Sequence, residues 1–455
     1  MKQNPRAIAA FIITRWEESR LPISRLLDEE LPKNHFAKTE DSQLCRALVF
    51  GVVRWLGYLD HVLGQFSKHP LAGMKAEIRQ ALRVALFQML FMDRIPVSAA
   101  INEAVKILKT DGQPRWLTGF VNGVLRNIDR HSSELPKAGG ETGYPPHILH
   151  SYPQWLFGRW RKRYGEARAI ELCKAGNAPA PLCLRAVEPD RLCEELNKSG
   201  VRAFRGKYAP LAVILPDFRG RVESLPGYAE GAFQVQDEAA QLASYLVGVK
   251  GPVRCLDGCA GLGGKTTHLA ALLPEGSTLV AVEPDLRRRE LLQQNLARLG
   301  LAEGVAVFGG SLQDLAKENK EPFDVVLIDA PCSGLGVIRH HPDIRWNRVP
   351  EDPARYQETQ LGLLAGAAGL LAPGGIMVYA TCSTEPQENE AVVDAFLAAH
   401  PDFTLSNCRD YLQEEALPLV DERGFFHPLP DQGLDGFFAA RLERSNAKCK
   451  MQNVK

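Results

Sequence analysis

A chain of 455 residues, 45% hydrophobic and 24% charged, is long enough for two or three separate cores and has the composition of a globular enzyme. Its 54 basic residues balance 54 acidic ones, which excludes a strongly basic nucleic-acid coat, and ten cysteines without a C-x-x-C pair or spaced histidines exclude a disulfide scaffold and a zinc site. No apolar run reaches the length of a membrane span, and acids interrupt the N-terminus before a secretory pattern is complete, so a cytoplasmic enzyme with no metal and no membrane contact is expected.

Residues 1–140 predict an all-helical domain. Ile78, Leu82, Ala85 and Met89 recur at helical spacing, and after Pro96 a second face carries Ile101, Val105 and Leu108. Residues 1–130 hold 19 Lys and Arg against 13 Asp and Glu, a surplus of +6 that is compatible with a polyanion-binding surface. The stretch "HSSELPKAGGETGYPPH", His131 to His147, has no periodicity and reads as a linker. Residues 150–235 mix a helical run, "LFGRWRKRYGEARAIELCKA", with short strand candidates such as "LAVILP", and predict a small α/β domain.

Residues 236–445 read more sharply. The runs "VRCL", "TLVAVE", "VAVF", "FDVVLIDA" and "IMVYATC" alternate with helical stretches such as "LRRRELLQQNLARLG" and "ARYQETQLGLLAGAAGLLA". That alternation predicts a doubly wound, mostly parallel sheet of the Rossmann-like α/β class, with ligands at the carboxyl ends of its strands. Residues 446–455 are expected to form a disordered tail.

The first of those strand ends is "CLDGCAGLGGKTTHLA". It imitates a triphosphate loop, yet the pattern G-x-x-x-x-G-K-[ST] needs a glycine five residues before Gly264, where Cys259 stands. The second strand ends at Glu283, twenty residues past Gly263, the place where nucleotide-binding α/β folds put an acid on ribose hydroxyls. Glycines and acid together suggest an adenosine-containing cofactor. Two later strand ends carry Asp329, Pro331 and Cys332, and Thr381, Cys382 and Ser383. Thiols at a ligand-binding edge suit chemistry on a pyrimidine ring. Carbon 5 is a poor nucleophile until a thiolate has added at carbon 6, so cysteine is the natural activator. Methylation of an exocyclic amine needs no such adduct.

These residues resemble the bacterial 16S rRNA cytosine-carbon-5 methyltransferases of the Fmu/RsmB type, within the Sun group of RNA methyltransferases. The resemblance rests on "DAPCSGLGVIRHHPDIRW", on "YATCS" with its cysteine fifty residues beyond Cys332, on "FQVQDEAAQLAS", and on the closing "DGFFAARL". In the N-terminal part, "CRALVFGVVRW" and "FVNGVLRNI" are similar to the NusB-like RNA-binding domain of this branch. The resemblance implies S-adenosylmethionine as cofactor and 16S rRNA, or an early small-subunit assembly intermediate, as partner of a monomer. It implies Cys382 as nucleophile toward carbon 6 and Cys332 as the thiol that helps break the adduct down, although DNA cytosine methyltransferases use the Pro-Cys thiol for attack. It further implies Asp329 at ring nitrogen 3. The loop Cys259, Ala260, Gly261, Leu262, Gly263, Gly264 and Lys265 would wrap the methionine part of the cofactor, with Glu283 on the ribose.

Three departures from the family pattern stand out. Gly261-Leu262 replace Ala-Pro in the loop, Ser311 stands where an adenine-contacting acid is common, with Asp314 three residues on, and Arg185-Ala186-Val187 replaces Arg-x-Asn. Arg339, Arg345 and Arg348 with Trp346 between them combine phosphate-binding charge with a stacking ring, and are expected to touch RNA. Two other function classes stay open at this stage: a P-loop NTPase, and a non-catalytic RNA-binding assembly factor.

Overall fold

Apolar residues at helical spacing build the first part of the chain. In the computed structural model, which describes residues 4–34, 36, 39–110 and 112–446, helices run over Pro5–Ser19, Ile23–Glu30, Thr39–Arg54, Leu56–Phe66, Ala76–Phe91, Val97–Thr110 and Arg115–Arg130. Their inward faces make one core around Ile12, Trp16, Leu48, Leu59, Leu82 and Leu125. The predicted linker is fastened to these helices: Tyr58 donates to the Pro136 carbonyl at 2.6 Å, and Tyr144 donates to Gln65 Oε1 at 2.7 Å. The helical run read over the following segment is two helices, Gln154–Tyr164 and Glu166–Asn177, parted at Gly165, whose φ of 82° no helix interior accepts. The tail expected over 446–455 lies, from residue 447 on, outside the described residues.

Internal packing divides the chain into Met1–Ala178 with Ile338–Pro350, and Pro179–Val337 with Glu351–Lys455. The short excursion of the first unit is held by side chains that look superficial in the sequence. Asp343 accepts the Ile23 N–H at 3.2 Å, and the Trp346 indole donates to the Val53 carbonyl at 2.8 Å.

The second unit holds two sheets. Strands β1 (Leu182–Ala186), β2 (Phe204–Arg205), β3 (Ala212–Leu215) and β4 (Phe233–Val235) form a small antiparallel sheet in the order β2-β3-β1-β4. The large sheet takes β5 (Arg254–Asp257), β6 (Thr278–Val282), β7 (Val305–Phe308), β8 (Phe323–Asp329), β9 (Leu371–Thr381), β10 (Phe403–Ser406) and β11 (Phe438–Arg444) in the order β10-β11-β9-β8-β5-β6-β7. Strands β5 to β9 are parallel, and β10 and β11 add antiparallel at one edge. Both faces are covered, so alternate residues of one strand enter different cores: Val325 and Leu327 pack with Cys255, Leu269 and Val378, whereas Val326 and Ile328 pack with Leu256, Met377 and Tyr379. That two-sided burial is why these strands read as continuous apolar runs. Strand order reverses beside β5, and the ends of β5, β6, β8 and β9 present their loops there.

Candidate active site

The loop after β5 is shaped by its glycines. Gly261 and Gly263 sit at φ 57° and 89°, and Gly263 caps the helix Gly264–Leu272. A Cβ on Gly263 would meet Leu292 Cδ1 at 2.5 Å, while nothing lies within 4 Å of one on Gly261, so that side of the loop is open. Buried Asp257 anchors the loop from below, accepting Thr266 Oγ1 at 2.7 Å and the Cys259 N–H at 3.3 Å; burial pushes its carboxyl up to about 6. Cys259 and Ala260 complete the turn, and Leu262 projects 50% exposed. Lys265 Nζ lies 2.6 Å from Asp329 Oδ2 and 4.9 Å from the Phe437 ring centroid. Glu283, at the end of β6, is buried with Oε1 accepting the Asp285 N–H at 2.8 Å.

The thiols meet. Because β8 and β9 are parallel neighbours with Asp329 beside Ala380, Cys332 and Cys382 leave adjacent strand ends, and their sulfurs stand 3.1 Å apart as free thiols. The hydrogen bond to Cys382, then burial, holds the Cys332 thiol well above its ordinary value. The next residues, Ser333 and Ser383, converge with hydroxyls 3.2 Å apart. The closing motif braces this pair of tips: Gly336 donates to the Cys382 carbonyl at 3.0 Å, and Gly436 donates to the Gly336 carbonyl at 2.9 Å.

Sequence reasoning undervalued Arg185. Its buried guanidinium reaches from β1 to the Gly264 carbonyl and Thr267 Oγ1, both at 2.8 Å, and thereby clamps the first turn of the loop helix to the small sheet. An arginine in an otherwise apolar strand was the available signal.

Other expected site residues are engaged differently. Ser311 caps the helix Leu312–Glu318 in a reciprocal capping box: Ser311 Oγ accepts the Asp314 N–H at 3.1 Å, and the Ser311 N–H donates back to Asp314 Oδ2 at 3.2 Å. Arg339, Arg345, Trp346 and Arg348 belong to the helical unit. The expectation that Arg345 meets phosphate is corrected. It is 0% exposed, donates to the Ser151 and Gly176 carbonyls and to Asn177 Oδ1, and stacks 3.9 Å over Tyr152. Trp346 likewise turns its ring nitrogen inward to Val53. Arg339 is nearly buried and Arg348 half-buried.

Comparison with known proteins places these features. The family profile described as 16S rRNA methyltransferase RsmB/F matches residues 247–443, that of the NusB family residues 3–130, and that of the RsmF/B-like ferredoxin-like domain residues 152–220. The chain is 35% identical to ribosomal RNA small subunit methyltransferase B of Klebsiella pneumoniae subsp. pneumoniae over 96% of its own length and 98% of that protein. It is also 35% identical to the protein of that name from Pseudomonas syringae pv. tomato, over 87% of each chain. The crystal structure of PH0851 shares the fold, with a TM-score of 0.79 at 24% identity over 98% of this chain and 100% of that one.

Proposed function

The chain belongs to the RsmB/F family of 16S rRNA methyltransferases, and from that premise we propose that it methylates carbon 5 of an unpaired cytosine in 16S rRNA through a covalent cysteine adduct. The observation that carries this reading is the pair of sulfurs 3.1 Å apart, three and fifty-three residues past Asp329. An amine methyltransferase has no use for two adjacent thiols.

The residues fit S-adenosylmethionine. The open side of the loop at Gly261 leaves backbone accessible to a ligand, and the buried carboxylate of Glu283 at the next strand end suits ribose hydroxyls. Bound there, the cofactor supplies an electrophilic methyl group. Lys265 is less suited to a triphosphate, because Asp329 already answers its charge.

In this reading Cys382 adds to carbon 6, and the former double bond makes carbon 5 nucleophilic. Asp329 is assigned to the flipped base near ring nitrogen 3, where it assists protonation and so offsets the negative charge that thiolate addition puts on the ring. Once carbon 5 carries the methyl group, its proton passes to the Cys332 thiolate or to a base that Cys332 positions, the double bond re-forms and the bond from carbon 6 to the Cys382 sulfur breaks. The order rests on the family resemblance, in which the Thr-Cys thiol attacks and the Pro-Cys thiol serves the elimination. Extruding a cytosine costs least where it is unpaired, so a loop or bulge, in free rRNA or an early assembly intermediate, is the favoured target. Residues 1–140 and 150–235 are assigned to RNA contact, and 236–445 to chemistry in a monomer.

The test is to incubate the purified chain with S-adenosylmethionine and unmodified 16S rRNA, then identify the product nucleoside by mass spectrometry. 5-Methylcytidine is expected. N4-methylcytidine, or methylation confined to another base, overturns the proposal.

A further inference from the structure

We propose that Glu388 is a positioning residue that clasps the two thiol-bearing tips into one reacting geometry. The proposal rests on the cytosine-carbon-5 reading above.

Glu388 ends the single turn Pro386–Glu388 that follows the Cys382 tip, and it is fully buried. Its two carboxylate oxygens are shared between the residues that follow the two cysteines. Oε1 accepts the Ser333 N–H at 2.6 Å, and Oε2 accepts the hydroxyls of both Ser333 and Ser383 at 2.5 Å. Gln360, which also donates to the Pro331 carbonyl at 3.0 Å, stands 3.4 Å from Oε1. The turn itself is held in place: Tyr379 donates to the Glu388 carbonyl at 2.5 Å, and Asn389 accepts Thr381 Oγ1 at 2.6 Å while donating to the Ser383 carbonyl at 2.9 Å.

This arrangement asks for a carboxylate in particular. Three strong donors converge on the side chain, and an ionised carboxylate only accepts, whereas a glutamine would turn an N–H₂ toward one of them. No lysine, arginine or histidine pairs with Glu388 among the described residues, so the site bears a buried acid that is compensated by hydrogen bonds alone. Burial accordingly raises its carboxyl above the usual range. Such a costly group is not needed to fill space. What it does is bind the backbone after Cys332 and the side chain after Cys382 to one rigid body. Attack at carbon 6 and proton removal at carbon 5 involve adjacent ring atoms, so both sulfurs must stay in register with one base.

The test uses the full chain with S-adenosylmethionine and 16S rRNA, and reads turnover and thiol spacing separately. In Glu388→Gln, kcat should fall by about 100-fold, the order expected for a misplacement of an ångström, with both KM values within about twofold of the parent. Phenylarsine oxide, which bridges two close thiols, should protect Cys332 and Cys382 from alkylation in the parent chain. It should need about tenfold more reagent in Glu388→Gln, since closing the dithiol ring then requires ordering two loose tips. If Glu388→Gln does not fold, Ser333→Ala and Ser383→Ala remove one donor each. Their effects on arsenical protection should be smaller in combination than their sum, because both act through one carboxylate. A folded Glu388→Gln with kcat and arsenical protection within about twofold of the parent overturns the proposal, as do strictly additive serine variants. Absence of 5-methylcytidine with the parent chain would instead sink the underlying reading, while the arsenical measurement would still report on the clasp.

Discussion

Lys265 Nζ lies 2.6 Å from Asp329 Oδ2, so the helix that follows the glycine loop is tied to the end of β8. In a triphosphate loop this lysine would be kept for phosphate. Here it fixes a carboxylate at the tip that leads to Cys332. Replacing Asp329 leaves a buried ammonium uncompensated, and replacing Lys265 does the same to a half-buried carboxylate, so Lys265→Met and Asp329→Asn should each lower stability, with the double variant losing less than their sum. Because Asp329 is 33% exposed and therefore partly screened, the coupling should be about 1 kcal/mol. Denaturant unfolding of the four proteins measures it, and additive losses would show that the contact has no energetic weight.

Gly336 has no room for a side chain. A Cβ there would lie 1.9 Å from the Gly436 carbonyl oxygen and 2.9 Å from that of Cys382, backbone that cannot swing away. Gly336→Ala should therefore cost at least about 2 kcal/mol and displace the Cys382 tip, abolishing methyl transfer. Gly362, inside the helix Asp352–Leu370 with nothing within 4 Å, is the control. Its change to alanine should be neutral or stabilising by about 0.5–1 kcal/mol. Equal stabilities for the two variants, read by denaturant unfolding, would refute the packing argument.

These glycines illustrate what was legible in the sequence. The strands were, because two-sided burial leaves apolar β-branched runs, and Val305–Phe308 begins and ends where its run does. The loop, Glu283 and both cysteines were legible because each closes such a strand. The excursion of residues 338–350 was not. Its partners, Ile23, Val53, Ser151 and Asn177, are distant in the chain, and an arginine stacked on a buried tyrosine has the same composition as one waiting for RNA. The capping box at Ser311 and Asp314 could have been found locally, since a serine three residues before an acid at a helix start is its signature. Strand β11 is largely hidden within the motif "DGFFAARL", and β10, the four residues Phe403–Ser406, is too short a run to stand out in the sequence.

His268, on the helix after the glycine loop, is buried with neither ring nitrogen hydrogen-bonded among the described residues. Burial holds its imidazole well below the ordinary value of 6.5. A depressed value means that the unfolded chain binds the proton first. The neutral ring's contribution is thus complete above pH 6.5 and is lost as pH falls below it, at about 1.4 kcal/mol per pH unit. His268→Leu takes up no proton there, so its stability profile between pH 7.5 and 5 should be flatter than the parent's by about one proton. Parallel profiles from denaturant unfolding would mean that the ring is hydrated or paired in solution.

The two thiols make the sharpest separate prediction, because one adduct must be both formed and released. If Cys382 attacks carbon 6, Cys382→Ala makes no activated ring, and methyl transfer and covalent RNA linkage both vanish. If Cys332 serves the later elimination, Cys332→Ala still transfers the methyl group and then stalls with carbon 6 bonded to Cys382 sulfur. With the sulfurs only 3.1 Å apart, removing one hardly alters access for the other, so the two variants differ in chemistry more than in shape. A denaturing gel of each variant after incubation with S-adenosylmethionine and an rRNA fragment decides between them. Adduct is expected from Cys332→Ala and none from Cys382→Ala. The opposite pattern would assign the attack to the Pro-Cys thiol. Full methylation without adduct in both variants would remove the thiols from the reaction, and the 3.1 Å contact would then be packing alone.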